Sequence, residues 1–312
     1  MAAEKDWDVF AAEVNAQVLK DEPMSRHTTF RIGGPAERFI VPRDAQALRQ
    51  TVRFCRAQGV PLLPLGNGSN LLVPDEGIRG AVVHLDEALG GIRLEDDGVT
   101  VVCGAGVRLE KVCLFARDHA LTGLEFAYGI PGSAGGAAYM NAGAYGGEVR
   151  DVLAFVRHLD EKGEPGAFSG GDPAFGYRRS PYTGGKYVIT EVAFRLAPGD
   201  REQIAARMEE LMGRRRAKQP LEMPSAGSVF KRPEGYYAGT LIDQCGLKGL
   251  RCGGAVVSVK HAGFIVNAGG ATCRDVLELI ARIKEEVYRQ AGVKLESEVR
   301  VCDAGGASCR TV

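Results

Sequence analysis

Two loops in the first half of the chain carry the residue types from which a phosphate site can be built. The run Tyr128-Gly129-Ile130-Pro131-Gly132-Ser133-Ala134-Gly135-Gly136-Ala137-Ala138-Tyr139-Met140-Asn141-Ala142-Gly143-Ala144-Tyr145-Gly146-Gly147 holds seven of the chain's 42 glycines and no Lys, Arg, Asp or Glu. Glycine lets a backbone come close to a ligand and turn bare N–H groups toward it. The small residues from Ser133 to Ala138 suit the start of a helix, whose N-terminus favours an anion. The chemistry that follows is a backbone cradle for a phosphate or pyrophosphate. The competing reading is a glycine-rich loop that serves tight packing. No G-x-G-x-x-G occurs in the stretch, and no G-K-[S/T] follows it, so neither the dinucleotide fingerprint nor a Walker A loop applies.

The second loop, Leu65-Gly66-Asn67-Gly68-Ser69-Asn70, lies between two apolar runs. Asn and Ser side chains donate to phosphate and tolerate turn geometry. Two anion-suited loops point to one ligand with two phosphates, or with a phosphate and a ring.

The loops need a frame, and periodicity supplies one. Helical spacing runs over 7–19, with Val9, Phe10, Val14 and Val18 on one face. Helices are also expected over 44–58, with Asp44 as N-cap and Gly59 as stop, and over 109–119, 238–245 and 273–291. Strand patterns cover 37–41, 61–64, 80–85, 99–103, 152–157, 187–196, 253–257, 263–267 and 295–301. A charged helix from Gly199-Asp200 to about Lys218 reads as a connector or as a solvated face. Strands and helices alternate, so the class is mixed α and β. The last ten residues are the one expected irregular tract.

Composition narrows the function classes. The 312 residues are 45% hydrophobic and 25% charged, an ordinary soluble balance with room for two domains. Net charge is zero, from 39 basic and 39 acidic residues, which argues against a nucleic-acid partner. No apolar run approaches a membrane span, and no basic start leads into an apolar leader. The eight cysteines stand at no C-x-x-C spacing and have no paired His, so no metal or redox motif is read. Free thiols in a reducing cytoplasm are expected, with Cys103 as core filler.

Six short motifs in order resemble one family. They are Thr28-Thr29-Phe30-Arg31-Ile32-Gly33-Gly34, the 65–70 loop, the 129–146 loop, Tyr177-Arg178, Ala226-Gly227-Ser228, and Leu295-Glu296-Ser297-Glu298-Val299-Arg300. Over roughly residues 20–302 the chain resembles UDP-N-acetylenolpyruvoylglucosamine reductase, a flavoenzyme of bacterial cell-wall synthesis. The resemblance implies the α+β class, with an FAD-binding fold of the vanillyl-alcohol-oxidase type over 1–200, in two subdomains split near 70–80. A substrate domain over 201–312 follows, its last strand returning to the FAD region. Non-covalent FAD and NADPH as reductant are implied, with UDP-N-acetylglucosamine enolpyruvate as substrate. A monomeric cytoplasmic enzyme of peptidoglycan synthesis is expected, tied to cell shape, cell cycle and division. Only four residues separate Tyr182 from Tyr187, too few for the family's inserted tyrosine loop, so the chain resembles the shorter form.

The same resemblance implies roles. Ser228 matches the proton donor, Arg178 the catalytic arginine and Glu298 the catalytic glutamate. FAD is expected on Arg31, Leu65, Gly66, Asn67, Gly68, Ser69, Asn70, Gly129, Ile130, Pro131, Gly132, Ser133, Gly135, Gly136, Asn141, Gly143 and Arg300. Substrate is expected on Lys231, Arg232, Tyr177, His261 and Asn267. The residue types suit the reaction. Hydride addition at the far carbon of a vinyl ether pushes charge into the attached carboxylate, and a guanidinium meets that carboxylate bidentately. A protonated carboxyl can donate to the same oxygens if burial raises its pKa. A serine placed close to the carbanion-like centre can deliver the proton.

Each of these residues has an ordinary alternative. Ser228 suits a turn or cap. Arg179 equals Arg178 in chemistry, and Glu296 shares strand parity with Glu298. Lys231 and Arg232 read as diphosphate contacts or as surface charge, and His261 and Asn267 as pocket lining or as structure. Tyr236 and Tyr237 cover a uridine or simply pack. Two rival functions also remain: an alcohol oxidase with covalently held flavin, against which the FAD loops carry no His or Cys, and a flavin- or sugar-nucleotide-binding protein without turnover.

Overall fold

The computed structural model describes residues 4–305 and 308–312 of the chain. These resolve into two compact units, each made from separated stretches. The first holds residues up to 19, 39–67 and 81–215, and the second 20–38, 68–80 and 216–312. Segments 20–38 and 68–80, which the sequence reading assigns to the first 200 residues, therefore belong with the C-terminal residues. The division falls after Arg215 rather than near 200.

In the first unit an antiparallel sheet runs in the order Pro165–Ser169, Leu153–Leu159, Val188–Arg195, Thr100–Gly104, Ile92–Leu94. Its Thr100–Gly104 strand is buried along its whole length, as befits a central strand. Strands Ala16–Pro23, Pro35–Pro42, Ile78–His84 and Leu62–Leu65 form a second sheet in that order, of which residues 16–19, 39–42, 81–84 and 62–65 belong to the first unit. The Leu62–Leu65 strand runs parallel to its neighbour, with Leu63 opposite Val82. Helix α1 spans Glu4–Glu13 and α2 spans Ala45–Ala57. The Asp44 carboxylate accepts from the Ala47 N–H at 2.7 Å and caps α2, whose Ala47, Leu48, Thr51, Val52 and Cys55 face the core. Helix α3 covers Leu109–Asp118, α4 covers Ala134–Met140 and α5 covers Arg201–Lys218.

In the second unit an antiparallel sheet runs Ser225–Ser228, Phe264–Asn267, Ala255–Val257, Arg251–Cys252. Helices α6 (Ala238–Gln244) and α7 (Cys273–Ala291) share its core. The boundaries of α7 follow from local chemistry. Thr272 and Asp275 form a reciprocal capping box, and Gly292 closes the helix at φ 69°. The Asp75 carboxylate adds bonds from the Cys273 and Arg274 N–H groups at 2.8 and 3.1 Å. Leu71–Leu72 pairs in parallel with Arg300–Cys302, which pairs antiparallel with Cys309–Arg310.

Three expectations change. The 7–19 helix stops at Glu13, and Ala16–Pro23 is a strand, because sheet pairing overrides helical spacing. Val9 is accordingly exposed, while Trp7, Phe10 and Val14 are buried. The final strand is Arg300–Cys302 only; before it, 295–299 makes a single bridge between Ser297 and Phe230. The tail beyond Asp303 contains a paired strand, and its residues 306 and 307 lie outside the described residues. All eight thiols are free, and burial pushes Cys103 up to about 12, which makes it inert packing. No helix among the described residues is long and apolar enough to cross a membrane.

Gly34 shows how tightly the second unit is closed. Its N–H donates to the Pro74 carbonyl, and a Cβ there would lie 2.1 Å from the Asp75 carbonyl oxygen. Gly34→Ala must displace that backbone and is expected to cost at least about 4 kcal/mol, the range of severe core faults. At Gly59, φ is 64° and an added Cβ meets nothing within 4 Å. Gly59→Ala should cost only about 1 kcal/mol. Thermal melts of the two variants check the contrast, and equal losses would refute it.

Candidate active site

The two glycine loops meet inside the first unit. A Cβ on Gly66 would lie 2.3 Å from the Ser133 Oγ, and the Asn67 amide donates to the Pro131 carbonyl at 3.1 Å. Glycine is thus required at 66 by the approach of the other loop. At Gly129, φ is 82°, and a Cβ would meet Met212 Sδ at 2.7 Å and the Arg215 side chain at 3.2 Å.

The anion-seeking helix start needs correction. The N–H groups of Ala134, Gly135 and Gly136 donate to the Val107 carbonyl, the Ala105 carbonyl and the Ser133 Oγ. Ser133 is therefore a helix cap. Gly135 is glycine because a Cβ would stand 2.8 Å from that of Ala105, so the packing reading holds there. Gly136 is exposed, as is Pro131, while Gly129, Ile130 and Gly132 are half-buried. Leu65 is core: its side chain is 1% exposed, and its carbonyl accepts from Leu85 N–H.

Asn141 is also spent internally. It closes α4 at φ 42°, a left-handed conformation that Asn tolerates. Its Nδ2 donates to Glu148 Oε2 and to the Gly176 carbonyl, both at 3.0 Å, and its Oδ1 accepts from Arg150 N–H at 2.9 Å. It positions the neighbouring turn rather than a ligand. That turn is tight: Gly176 and Arg179 exchange both backbone bonds at 3.1 Å, leaving Tyr177 and Arg178 at its tip. Arg178 has φ 56°, where glycine or asparagine is usual. Its guanidinium lies 4.9 Å from the Tyr177 ring centroid and donates to the Gly143 carbonyl at 3.3 Å. Gly143 itself sits in a two-residue strand paired with Gly147–Glu148. Burial thus separates the two arginines, since Arg178 is half-buried and Arg179 is exposed. The Tyr182–Tyr187 connection carries no inserted loop. It is pinned by buried Tyr182, whose hydroxyl donates to the Val156 carbonyl at 3.0 Å.

One residue was missed. Helix α5 buries Ile204, Met208, Leu211 and Arg215 on one face. The spacing of 4, 3 and 4 was legible, but the charge of Arg215 disguised it as part of a solvated surface.

In the second unit, four of the expected segments are stitched together. The Thr29 N–H donates to the Gly68 carbonyl at 3.3 Å, and its hydroxyl to the Ser225 carbonyl at 2.7 Å. The Asn70 carbonyl accepts from Arg300 N–H at 3.0 Å, and its amide donates to the Glu298 carbonyl at 3.3 Å. Gly68 is required, because a Cβ there would sit 2.1 Å from the His27 carbonyl oxygen. Ser69 is half-buried, and Arg31 is exposed at φ 54°. The Arg300 guanidinium donates to the Cys309 carbonyl.

Ser228 and Glu298 come from adjacent segments: the Glu298 N–H donates to the Val229 carbonyl at 2.6 Å. The Ser228 Oγ donates to the Phe230 carbonyl at 3.2 Å. Glu298 is half-buried, whereas Glu296 is exposed and pairs with Lys231 at 3.0 Å, which separates the two glutamates. Lys231 is accordingly a paired surface charge. Arg232 stacks 4.1 Å from the ring centroid of exposed Tyr237. His261 Nδ1 accepts from Gly263 N–H at 3.1 Å, and burial pushes the imidazole below its ordinary range, so it is neutral near pH 7. A Cβ on Gly263 would lie 3.0 Å from the His261 ring and 3.5 Å from Ser228 Oγ, so ring and hydroxyl flank one glycine. Asn267 has no capacity left for a substrate. Its amide donates to the Phe30 and Arg31 carbonyls, and its oxygen accepts from Gly269 and Ala271 N–H. Among the described residues no cluster of three or more His, Cys, Asp or Glu suits a metal ion.

The close approach of two glycine-bearing loops and the buried cation of Arg215 suit a group that carries a diphosphate. The comparisons agree. Residues 36–166 match the family model for an FAD binding domain, and residues 219–302 match that for the UDP-N-acetylenolpyruvoylglucosamine reductase C-terminal domain. The chain is 47% identical over 296 residues to the UDP-N-acetylenolpyruvoylglucosamine reductase of Heliobacterium modesticaldum, covering 94% of each. It is 45% identical over 287 residues to that of Lachnoclostridium phytofermentans, covering 91% of this chain and 93% of the relative. A crystal structure of the Thermus caldophilus reductase superposes with a TM-score of 0.75 at 37% identity, covering 92% of this chain and 99% of that one.

The Asn141 network generates a test. Asn141→Ala removes bonds to three buried or half-buried partners and forces alanine into a left-handed conformation, at a cost of about 3 kcal/mol. Denaturant melts should show that loss together with a fall in kcat, because the Gly176–Arg179 turn loses its anchor. A variant as stable and as active as the parent would refute the positioning role.

Proposed function

The chain belongs to the UDP-N-acetylenolpyruvoylglucosamine reductase family, and from that premise we propose how its own residues divide the work. It is an FAD-containing oxidoreductase that reduces UDP-N-acetylglucosamine enolpyruvate to UDP-N-acetylmuramate in peptidoglycan precursor synthesis. FAD, held by the glycine loops, would supply the hydride chemistry between NADPH and the enol ether.

The protein's part is to orient the enol ether and to manage the charge and the proton. Arg178 meets the substrate carboxylate with its planar fork and stabilises the negative charge that hydride addition drives into it. Glu298, if its carboxyl keeps a proton, can donate to the substrate carboxylate as well. Ser228 gives its proton to the carbon that bears the carboxylate. The observation that carries this division is Arg178. A non-glycine residue at φ 56° on the tip of a two-residue turn is held there at a cost, and such strain gathers where a side chain must be aimed.

Flavin rests on the 65–70 and 129–132 loops, with Gly136, Gly143, Arg31 and Arg300 as further contacts. The sugar nucleotide meets Tyr177, Arg232 and His261. Neutral His261, across Gly263 from Ser228, lines the substrate side without adding charge. The free thiols suit a reducing cytoplasm, and the enzyme's product feeds wall growth and so cell shape, the cell cycle and division.

The two half-reactions test the assignment separately. In Ser228→Ala, NADPH should bleach the flavin at the parent rate. Reoxidation by the enol ether should slow about 10²–10⁴-fold, the range for a lost general acid. Stopped-flow absorbance reads both. Normal reoxidation would remove Ser228 from the proton transfer.

A further inference from the structure

The α5 arginines fall into two kinds. Arg207 and Arg214 are exposed and both pair with Glu210. Arg215, on the buried face, is 6% exposed, and its Nε and Nη2 have no hydrogen-bond partner. Among the described residues no carboxylate pairs with it, and burial alone draws its pKa down. A guanidinium does not escape this by losing its proton. Its one favourable neighbour is the Tyr145 ring, with Cζ 5.2 Å from the centroid. Such a contact offsets only part of the cost of burying an unpaired ion.

The position is also built. Gly129 opens the glycine-rich loop, and a Cβ there would strike Arg215 Cδ and Nε at 3.2 Å. The missing side chain at 129 is what lets the guanidinium lie against the loop backbone. Tyr145 stands at φ 52°, a second left-handed residue beside the same cation. Glycine, strained tyrosine and arginine thus converge on a buried charge that lacks a counterion.

We propose that Arg215 is the receptor for an anionic oxygen, phosphate or carboxylate, of a ligand that enters beside Gly129 and Tyr145. Two sources share that chemistry: the pyrophosphate of FAD, and the diphosphate or carboxylate of the sugar nucleotide. The proposal rests on the functional reading above for its ligands, but its test reads binding and stability, not turnover. Failure of the Ser228 assignment would leave these affinities unchanged.

The variants are Arg215→Met, which keeps the stem without charge, and Arg215→Lys, which keeps charge without the fork. Flavin-free full-length protein is titrated with FAD by quenching of flavin fluorescence. Flavin-loaded protein is titrated with UDP-N-acetylmuramate by calorimetry. The Met variant should lose about tenfold or more in one affinity, the size of one lost charge-assisted bond. A loss for FAD assigns the pyrophosphate, and a loss for the sugar nucleotide assigns the substrate. Flavin-free Arg215→Met should melt no lower than the parent, because an uncompensated charge has been removed. Parent-like affinity for both ligands, or a flavin-free Met variant that melts well below the parent, would overturn the proposal. If the Met variant does not fold, Arg215→Lys decides: a tenfold loss for either ligand upholds it, and unchanged binding of both ends it.

Discussion

The backbone of Leu65–Asn70 lies largely outside any ladder, and its polar groups must find partners far off in sequence. Asn67 reaches the Pro131 carbonyl, which registers the first glycine loop on the second. Asn70 takes the Arg300 N–H on its carbonyl and offers its amide to the Glu298 carbonyl. Through its Asn70 bonds the loop's end fixes where Glu298 and Arg300 stand within the second unit, and the Glu298–Val229 bond passes that register on to Ser228. Side chains bonded to backbone carbonyls serve here as struts, because short irregular segments have no sheet or helix to hold them. Gly66 and Gly68 allow the close approaches that these bonds require.

Much of the polar inventory proves to be scaffolding. Ser133, Asn141 and Asn267 each look like ligand contacts in the sequence, but Ser133 caps α4, and Asn141 and Asn267 have both amide and carbonyl oxygen bonded within the fold. A buried unmet donor costs about 1–3 kcal/mol, so loops this irregular need dedicated side chains to satisfy them. What remains for chemistry is a smaller set with distinct environments. Arg178 is strained and half-buried where Arg179 is exposed, and Glu298 is half-buried where Glu296 is tied to Lys231.

Sequence reading succeeded where the signal is local. Helix α7 runs over the expected residues because Thr272, Asp275 and Gly292 mark its ends. Asp44 capped α2 as its position before an apolar periodicity suggested. The six ordered motifs led to the reductase family, and the FAD domain and C-terminal domain matches cover four of them, leaving out 28–34 and 177–178. It failed where the signal is tertiary. Residues 16–23 are a strand only because Pro35–Pro42 pairs with them. Arg215 sits at an apolar position of its helix, and a rule that sends charge to solvent misplaces it. Nothing in residues 20–38 or 68–80 announces that they pack with the last third of the chain.

That interleaving has a consequence for biogenesis. Phe30, Ile32 and Leu72 belong to the same buried cluster as Val276, Ile280 and Ile283 of α7. A ribosome releases the first three long before it makes the others, so the second unit cannot close its interior until α7 has been made. During that interval apolar side chains near the N-terminus are without their final neighbours, and a chaperone would find its grip there. A nascent chain halted short of α7 is thus not half a working enzyme but a substrate for quality control.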